Sequence, residues 1–232
     1  SNITRNQAID FLNSIVGRSF FDETTFNILL IGSVEYRKGT HLMIKSIPRL
    51  LRALPNARIC FIGHHGDNNH QPTANTKLSP KILCSELKKN EREKVAFTNY
   101  IPHKELPNAI MAGDVFPFLS LGDNFPGSVA EVSLMGKPII ALMTGGLAEM
   151  LTEDNKCLAY SLGSKTKNLS EKLVDALVEL YGNPSRRKTI GRCLKKSMIK
   201  RYDAQRVVRE TFEAYNNIYH KKKLEYLRVN IN

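Results

Sequence analysis

The chain has 232 residues, of which 42% are hydrophobic, and its formal net charge is +12 at pH 7. This length suits one large domain or two small ones, and the hydrophobic fraction is that of a folded protein with a sizeable core. The sequence contains no apolar run long enough to span a membrane and no apolar leader at its start. We therefore expect a folded cytoplasmic protein.

The positive charge is concentrated near the C-terminus. Residues 186–228 hold 14 Lys and Arg against 4 Asp and Glu, whereas the remainder holds 20 against 18. Such a segment is either a set of solvated helix faces or a surface that attracts a membrane, nucleic acid or a phosphorylated substrate. The cysteines lie far apart without a C-x-x-C pair, which favours free thiols over disulfides or a metal site.

Apolar runs alternate with amphipathic segments along the whole chain. The predicted helices are Arg5–Val16, a segment from Leu42 to Leu54, Lys81–Asn90, Lys104–Met111, Ser128–Met135, one opening at Asn168, and two more ending near Leu227. The predicted strands are Asn27–Ile31, Arg58–Ile62, Val95–Thr98, Val115–Ser120, Pro138–Leu142 and Cys157–Tyr160. This alternation predicts an α/β fold with a doubly wound, Rossmann-like parallel sheet.

Three local signals refine this prediction. The segment Gly66–Pro80 is polar and rich in Asn, Thr and Pro, which indicates a mobile loop. Pro117 argues against a central position for its strand, because proline cannot donate to a neighbouring strand. Asn168-Leu-Ser-Glu171 has the spacing of a capping box at the start of a helix.

Unusual residues follow the predicted strands at the edge where parallel α/β sheets bind ligands. They are Gly32, Gly63, Asn99, the segment Ser120–Asp123 and the segment Thr144–Gly146. One crevice is therefore expected to collect them.

The stretch from Asp123 to Glu131 carries the clearest chemistry. Two carboxylates lie eight positions apart, and the chain between them bends at Pro126 and Gly127 before a predicted helix. A helix start suits a phosphate, and ionised carboxylates accept hydrogen bonds from sugar hydroxyls. The combination points to a nucleotide-sugar. Ser128 and Glu131 also have the spacing of a capping box, which is a purely structural alternative for Glu131.

With these residues in place, the sequence resembles the C-terminal domain of the family-4, or group 1, retaining glycosyltransferases, which is one half of the GT-B fold. Five blocks carry the resemblance in order: Gly32–Gly39, Arg58–Gly63, Val95–Pro102, Ala112–Glu131 and Gly136–Glu149. They are similar to the family patterns G-R-x-x-x-x-K-G, the strand before the glycine loop, F-x-G-x-x-P, A-D-V-F through E-x-F-G-x-x-x-x-E, and G-x-P-V-V through G-G-x-x-E.

The resemblance implies roles for three residues at the catalytic site. Lys38 would contact the donor diphosphate, Glu131 the ribose hydroxyls and Asp123 the hydroxyls of the transferred sugar. The other implied donor-binding residues are Gly32, Ser33, Arg37, Asn99, Tyr100, Ile101, Asn124, Phe125, Pro126, Gly127, Ser128, Gly145 and Gly146. The donor would be a UDP- or GDP-type sugar, with no metal or other cofactor. From the residues alone, Tyr100 and Phe125 are favoured as packing residues and Lys137 as a solvated lysine.

The sequence departs from the family pattern at four positions. Ser33 stands where the family has Arg, Asp123 where it has Glu, Pro126 where it has Gly, and Asn99 where it has a glycine near the base. A phosphate-binding cation is therefore missing, and we hypothesise that Arg37 replaces it.

The resemblance also limits what this chain does by itself. Residues 1–23 are expected to be an N-terminal helix and interdomain segment, 24–219 the donor-binding domain, and 220–232 a basic tail. An acceptor glycan or lipid-linked glycan would bind mainly to an N-terminal domain that this sequence lacks, so the isolated chain would bind nucleotide without effective transfer. The basic C-terminal helices fit peripheral contact with the inner membrane surface.

Two other classes of function compete with this interpretation. A non-catalytic module that binds a nucleotide or sugar-phosphate stays open, since Ser33 and Pro126 depart from the enzyme pattern. A nucleic-acid-binding domain has only the C-terminal charge in its favour, with no recognition motif. A dinucleotide oxidoreductase is disfavoured, because Gly32 does not begin a G-x-G-x-x-G pattern.

Overall fold

The structure, a computed structural model, describes residues 3–66, 78–153, 156–163 and 168–230. The helices are α1 Arg5–Val16, α2 Thr40–Ala53, α3 Pro80–Leu83, α4 Lys89–Arg92, α5 Leu106–Ala112, α6 Gly127–Leu134, α7 Gly146–Met150, α8 Leu169–Gly182, α9 Pro184–Arg201 and α10 Ala204–Asn230. The strands are β1 Phe26–Ile31, β2 Ala57–Ile62, β3 Val95–Thr98, β4 Phe116–Phe118, β5 Ile139–Ala141, β6 Thr152–Glu153, β7 Lys156–Cys157 and β8 Tyr160–Ser161. The chain divides into two compact units, Ser1–Lys195 and Lys196–Asn232.

The first unit is built on parallel strands, as the alternation of elements predicts. One sheet has the order β1-β2-β3 and the other β4-β5-β8, with every neighbouring pair parallel. A single parallel bridge between Ile28 and Val115 joins β1 to β4. The continuous order is therefore 3-2-1-4-5-8, which reverses direction between β1 and β4. In doubly wound sheets a ligand binds at this reversal.

Helices cover both faces of the sheet because alternate side chains of a strand point to opposite faces. On one face Ile28 and Leu30 join a buried cluster with Ile47 of α2 and Leu177 of α8. The other face of β1 meets α5, where the Asn27 amide nitrogen donates to Ala112 O at 2.9 Å. Each fully buried aliphatic side chain contributes roughly 1.5–3 kcal/mol, so burial on both faces stabilises the sheet.

Helix α1 is part of this layer. Thr4 caps it: its side-chain oxygen accepts from Gln7 N, and Thr4 N donates to Gln7 Oε1. Ala8 and Leu12 are fully buried, and α1 packs against α5. Arg5 donates to both carboxylate oxygens of Asp114, at 2.7 and 2.9 Å. These contacts tie the segment before the first strand to the rest of the sheet.

The interpretation of Pro117 as an edge-strand residue is wrong. Pro117 pairs in register with Ile140 of β5, and its strand lies between β1 and β5. The position tolerates proline because the pairing toward β1 is a bridge at Val115, two residues earlier. After that bridge β4 no longer pairs with β1, so the missing N–H of Pro117 costs no hydrogen bond to β1.

Two predicted elements differ from the observed ones by more than a residue or two at their ends. The segment predicted as the helix Lys81–Asn90 is two short helices, α3 and α4, because Ser85 Oγ donates to Ile82 O as α3 ends and Leu87 turns into the core. The strand predicted at Cys157–Tyr160 begins later, since β7 pairs antiparallel with β6 and only β8 joins the main sheet.

Both predicted capping boxes are absent. Asn168 precedes α8 with φ of 56° and ψ of 25°, which is left-handed, so its side chain does not cap the helix. Pro126, not Ser128, is the N-cap of α6, and no side-chain cap forms there. The segment predicted as a mobile loop falls largely on residues 67–77, outside the described ranges.

Candidate functional site

The site lies at the reversal of strand order, where the loops after β1 and β4 meet. Gly39, the residue before α2, allows this meeting. Its φ is +72°, and an added Cβ would lie 2.2 Å from Leu119 O, so only glycine fits. The main chain of the two loops is also joined, since Leu121 N donates to Arg37 O at 2.8 Å.

Four charged side chains form one cluster between these loops: Glu35, Arg37, Lys38 and Asp123. Lys38 Nζ lies 2.6 Å from Asp123 Oδ2, and Arg37 Nη1 lies 3.2 Å from Asp123 Oδ1. Arg37 Nη2 also lies 3.2 Å from Glu35 Oε2. We call this set the four-charge cluster. Its formal charges cancel.

The environment keeps Asp123 ionised. Burial raises the pKa of its carboxyl, but the hydrogen bond from Lys38, the charges of Lys38 and Arg37, and the hydrogen bond from Ser120 together hold the pKa below its usual value. Ser120 Oγ donates to Asp123 Oδ2 at 3.0 Å. The side chain of Asp123 is only 14% exposed.

The Gly145–Gly146 pair fixes the main chain of the Asp123 loop. Gly146 N donates to Asp123 O at 2.7 Å. A Cβ on Gly146 would lie 1.5 Å from Asn124 O, which no side chain permits. The amide of Gly146 is therefore engaged by the protein itself, and the glycines allow two backbone segments to touch.

A cavity of about 260 Å³ opens beside the four-charge cluster. Seven of the predicted site residues line it: Gly32, Ser33, Tyr100, Ile101, Gly127, Ser128 and Glu131. Gly32 and Ser33 also line a small recess that contains Lys38. The cavity and the cluster therefore share the loop that follows β1.

Glu131 faces this cavity from the second turn of α6. His103 Nδ1 lies 2.8 Å from Glu131 Oε1, and the Glu131 side chain is 31% exposed. Because Ser128 does not cap α6, the structural alternative for Glu131 lacks its hydrogen bond. The carboxylate is positioned to accept from a molecule in the cavity.

The aromatic rings of His64 and Tyr100 also line the cavity. His64 and Tyr100 are parallel, with ring centroids 5.4 Å apart and an interplanar angle of 7°. Tyr100 is 53% exposed and Phe125 is 54% exposed. Both rings are therefore about half exposed; Tyr100 packs against His64 and also offers a flat exposed surface.

Among the lining residues that sequence reasoning missed, two have titratable side chains, His64 and His103. His64 directly follows Gly63 at the end of β2, so the rule that gathers strand-end residues would have found it. His103 lies in the connection to α5, with no comparable signal. Asn99, Asn124, Phe125 and Pro126 lie in the adjoining loops and do not line this cavity.

Lys137 is far from solvated, contrary to expectation. Its Nζ donates to Met111 O at 2.8 Å and to Gly113 O at 3.0 Å. Burial lowers the pKa of Lys137 to about 8, against the opposing charge of Asp114. The ammonium satisfies carbonyls at the end of α5, which is a structural role.

The described residues contain no group of three His, Cys, Asp or Glu side chains that could hold a metal ion. Nor does any helix within the described ranges combine the length and apolarity needed to cross a bilayer.

Strand order, glycine-rich strand ends and a carboxylate-lined cavity define one class of molecule, a doubly wound Rossmann-like domain with a ligand crevice at the reversal of strand order. Comparison with known proteins gives the family. A sequence model described as "Glycosyl transferases group 1" matches residues 25–183, and the chain belongs to that family.

Curated relatives agree with this assignment. The chain is 25% identical over 134 residues to a phosphatidylinositol N-acetylglucosaminyltransferase of Arabidopsis thaliana, covering 57% of this chain and 27% of the relative. It is 27% identical over 178 residues to a GDP-mannose-dependent monoacylated alpha-(1-6)-phosphatidylinositol monomannoside mannosyltransferase of Corynebacterium glutamicum, covering 74% and 42%. The matched region spans less than half of each relative.

Solved structures share the fold at low identity. Sucrose-phosphate synthase from Thermosynechococcus elongatus gives a TM-score of 0.74 at 17% identity, covering 93% of this chain and 49% of that one. Anabaena HepE in complex with UDP-glucose gives 0.67 at 16% identity, covering 93% and 56%. The C-terminal domain of a Francisella tularensis group 1 glycosyltransferase gives 0.65 at 19% identity, covering 88% and 95%. The predicted fold class and family are confirmed.

Proposed function

We propose that this chain is the donor-binding part of a glycosyltransferase and that the cavity beside Glu131 holds a nucleoside-diphosphate sugar. The observation that supports this proposal most strongly is the cavity. A carboxylate, an aromatic platform and the start of α6 line it, and it adjoins the recess that contains Lys38. The HepE structure with UDP-glucose supports this donor class by analogy of fold.

Each part of the cavity suits one part of such a donor. Glu131 accepts from the ribose hydroxyls, and Tyr100 and Ile101 border the base. The N–H groups of Gly127 and Ser128, at the start of α6, face the phosphates together with Lys38. Asp123 accepts from hydroxyls of the transferred sugar. The leaving diphosphate is stabilised by these donors and cations, with no metal required.

Calorimetric titration with UDP, GDP and ADP, then with the matching sugar nucleotides, tests the proposal. Micromolar binding of one nucleoside diphosphate, tighter than inorganic pyrophosphate, is the expected result. The control is Val178→Ala, a partly exposed position on α8 away from the site. If every nucleotide binds no better than pyrophosphate, the nucleotide site is refuted.

The reaction we infer is transfer with retention of anomeric configuration to a glycan or lipid-linked glycan. Two relatives whose names include phosphatidylinositol substrates support a lipid-linked acceptor. The acceptor would bind mainly outside these 232 residues, so the chain alone would turn over poorly. NMR of the product anomer made by a full-length protein tests retention, and efficient transfer by this chain alone would contradict its incompleteness.

A non-catalytic nucleotide-binding module is the second candidate, favoured by the mutual neutralisation in the four-charge cluster. Sugar transfer by the full-length protein, abolished by Asp123→Ala with unchanged folding, would decide for the enzyme. Full-length protein that binds the donor and never transfers its sugar would decide for the module.

We further propose that α10 contacts an anionic membrane surface. Val208, Phe212, Tyr215 and Tyr219 recur at helical spacing and are each more than 60% exposed. Arg206, Arg209 and Lys221 add positive charge along the same helix.

Sedimentation with anionic vesicles should exceed that with neutral vesicles and fall for Phe212→Ser, whereas Val178→Ser on α8 should leave it unchanged. Equal binding to both vesicles would refute an electrostatic contact.

A further inference from the structure

The two positive and two negative charges of the four-charge cluster cancel within the protein itself. A diphosphate carries negative charge and needs cations; Lys38 lines the recess that adjoins the cavity, and Arg37 shares the Asp123 carboxylate with it. In the described part of the chain, both already contact the carboxylate of Asp123, and Arg37 also contacts Glu35. An incoming diphosphate therefore meets cations whose charge is neutralised.

Asp123 is held in this position from several directions. Its carboxylate accepts from Lys38 and from Ser120 Oγ, and its main-chain oxygen accepts from Gly146 N. Its side chain is shorter by one methylene than the glutamate that the family pattern has here. The short side chain keeps the carboxylate against Lys38 and away from the centre of the cavity.

We propose that Asp123 occupies, on Lys38 and Arg37, the place that the donor diphosphate takes. Donor binding is then an exchange of one anion for another. The exchange releases the Asp123 carboxylate to accept from hydroxyls of the transferred sugar, so the sugar contact forms only after the diphosphate is seated. This inference rests on the proposed function, because it describes how donor binding at that same site is regulated.

The exchange predicts that removing the carboxylate strengthens anion binding. Asp123→Asn keeps the shape of the side chain and frees both cations. Inorganic pyrophosphate, titrated calorimetrically, should bind this variant about tenfold more tightly than the native protein, since a charged hydrogen bond no longer competes. A residue that only contacted the sugar would leave pyrophosphate affinity unchanged.

Two further variants make the comparison sharper. Ser120→Ala removes one hydrogen bond to Asp123 without changing any charge, and it should tighten pyrophosphate binding about twofold. Asp175→Asn is the matched control, because Asp175 of α8 is a carboxylate in an exposed ion pair with Arg49 of α2. It should leave pyrophosphate affinity within error of native.

The outcomes separate this inference from the proposed function. Unchanged or weaker pyrophosphate binding by Asp123→Asn, in a variant whose circular dichroism is native, overturns the exchange. If that variant does not fold, unchanged binding by Ser120→Ala overturns it instead. If both variants bind pyrophosphate more tightly but no nucleotide outdoes pyrophosphate, the exchange stands and the nucleotide site fails.

Discussion

The two ends of the site differ in how far the protein satisfies its own polar groups. At the phosphate end, Lys38 and Arg37 are neutralised by Asp123 and Glu35 at 2.6–3.2 Å. At the nucleoside end, Glu131 contacts a mostly exposed histidine, and Tyr100 shows half of its surface to solvent. Under the proposed exchange, the phosphate end releases Asp123 to bind a ligand, whereas the nucleoside end receives it directly. Selectivity for the base and ribose should therefore be separable from affinity for the diphosphate.

The largest expected effect is a loss of stability caused by a substitution in the backbone contact at the phosphate end. Gly146→Ala places a Cβ on Asn124 O, and since neither backbone segment can move away, we expect a loss of about 3 kcal/mol in the free energy of unfolding. Urea unfolding measures it. Gly122→Ala in the same loop is the control, because nothing lies within 4 Å of its added Cβ. Equal stability of the two variants would contradict the tight contact.

The second prediction removes the principal cation. Lys38→Ala should weaken UDP binding by about 30-fold, because a charged hydrogen bond to the diphosphate is lost. Uridine, which has no phosphate, should bind this variant as it binds the native protein. Calorimetry with both ligands measures the split. A parallel loss for uridine would show that Lys38 supports the whole cavity rather than its phosphate end.

The third prediction addresses the nucleoside end. Glu131→Gln keeps the side-chain volume but loses the charge, so UDP affinity should fall about tenfold. The preference for UDP over 2′-deoxy-UDP should shrink with it, while pyrophosphate affinity stays unchanged. Competition binding with the three ligands measures these effects. Intact ribose discrimination would remove Glu131 from the ribose subsite.

The smallest expected effect is on stability in acid. The pKa of Asp123 is held low in the folded protein, so its stabilising contribution is present above the unfolded carboxyl pKa of about 4. It is lost as pH falls through the lower folded-state pKa. The melting temperature of the native protein should exceed that of Asp123→Asn by a constant margin from pH 5 to 7, with the margin shrinking below pH 4. A margin independent of pH would contradict the ion pairs.

Periodicity and strand-end residues predict the architecture because each element buries a face with its own repeat. Long-range pairing is harder to predict. Strand β4 is joined to β1 by a single bridge at Val115, so nothing near Pro117 in the sequence reveals that its strand is central. Lys137 is buried because two carbonyls at the end of α5 turn toward it, and residues that far apart leave no local signal.

The residues of the candidate site likewise fall into those that the sequence predicts and those that it does not. Gly32, Ser33, Gly127 and Glu131 were predicted from strand ends and from the family pattern, and they line one cavity. The pairing of Lys38 with Asp123 was not predicted, since each side chain was assigned to a different part of the donor. His103 was missed because its relevance depends on the distance to Glu131, which spacing along the chain does not encode.

The parallel His64 and Tyr100 rings have a practical consequence. The sequence contains no tryptophan and 8 tyrosines, so its ultraviolet emission is that of tyrosine. Tyr100 stands at the rim of the cavity, and a nucleobase stacked on its ring would quench its share of that emission. Tyrosine fluorescence would therefore measure ligand binding without a label, and replacing Tyr100 with Leu would remove the change in emission.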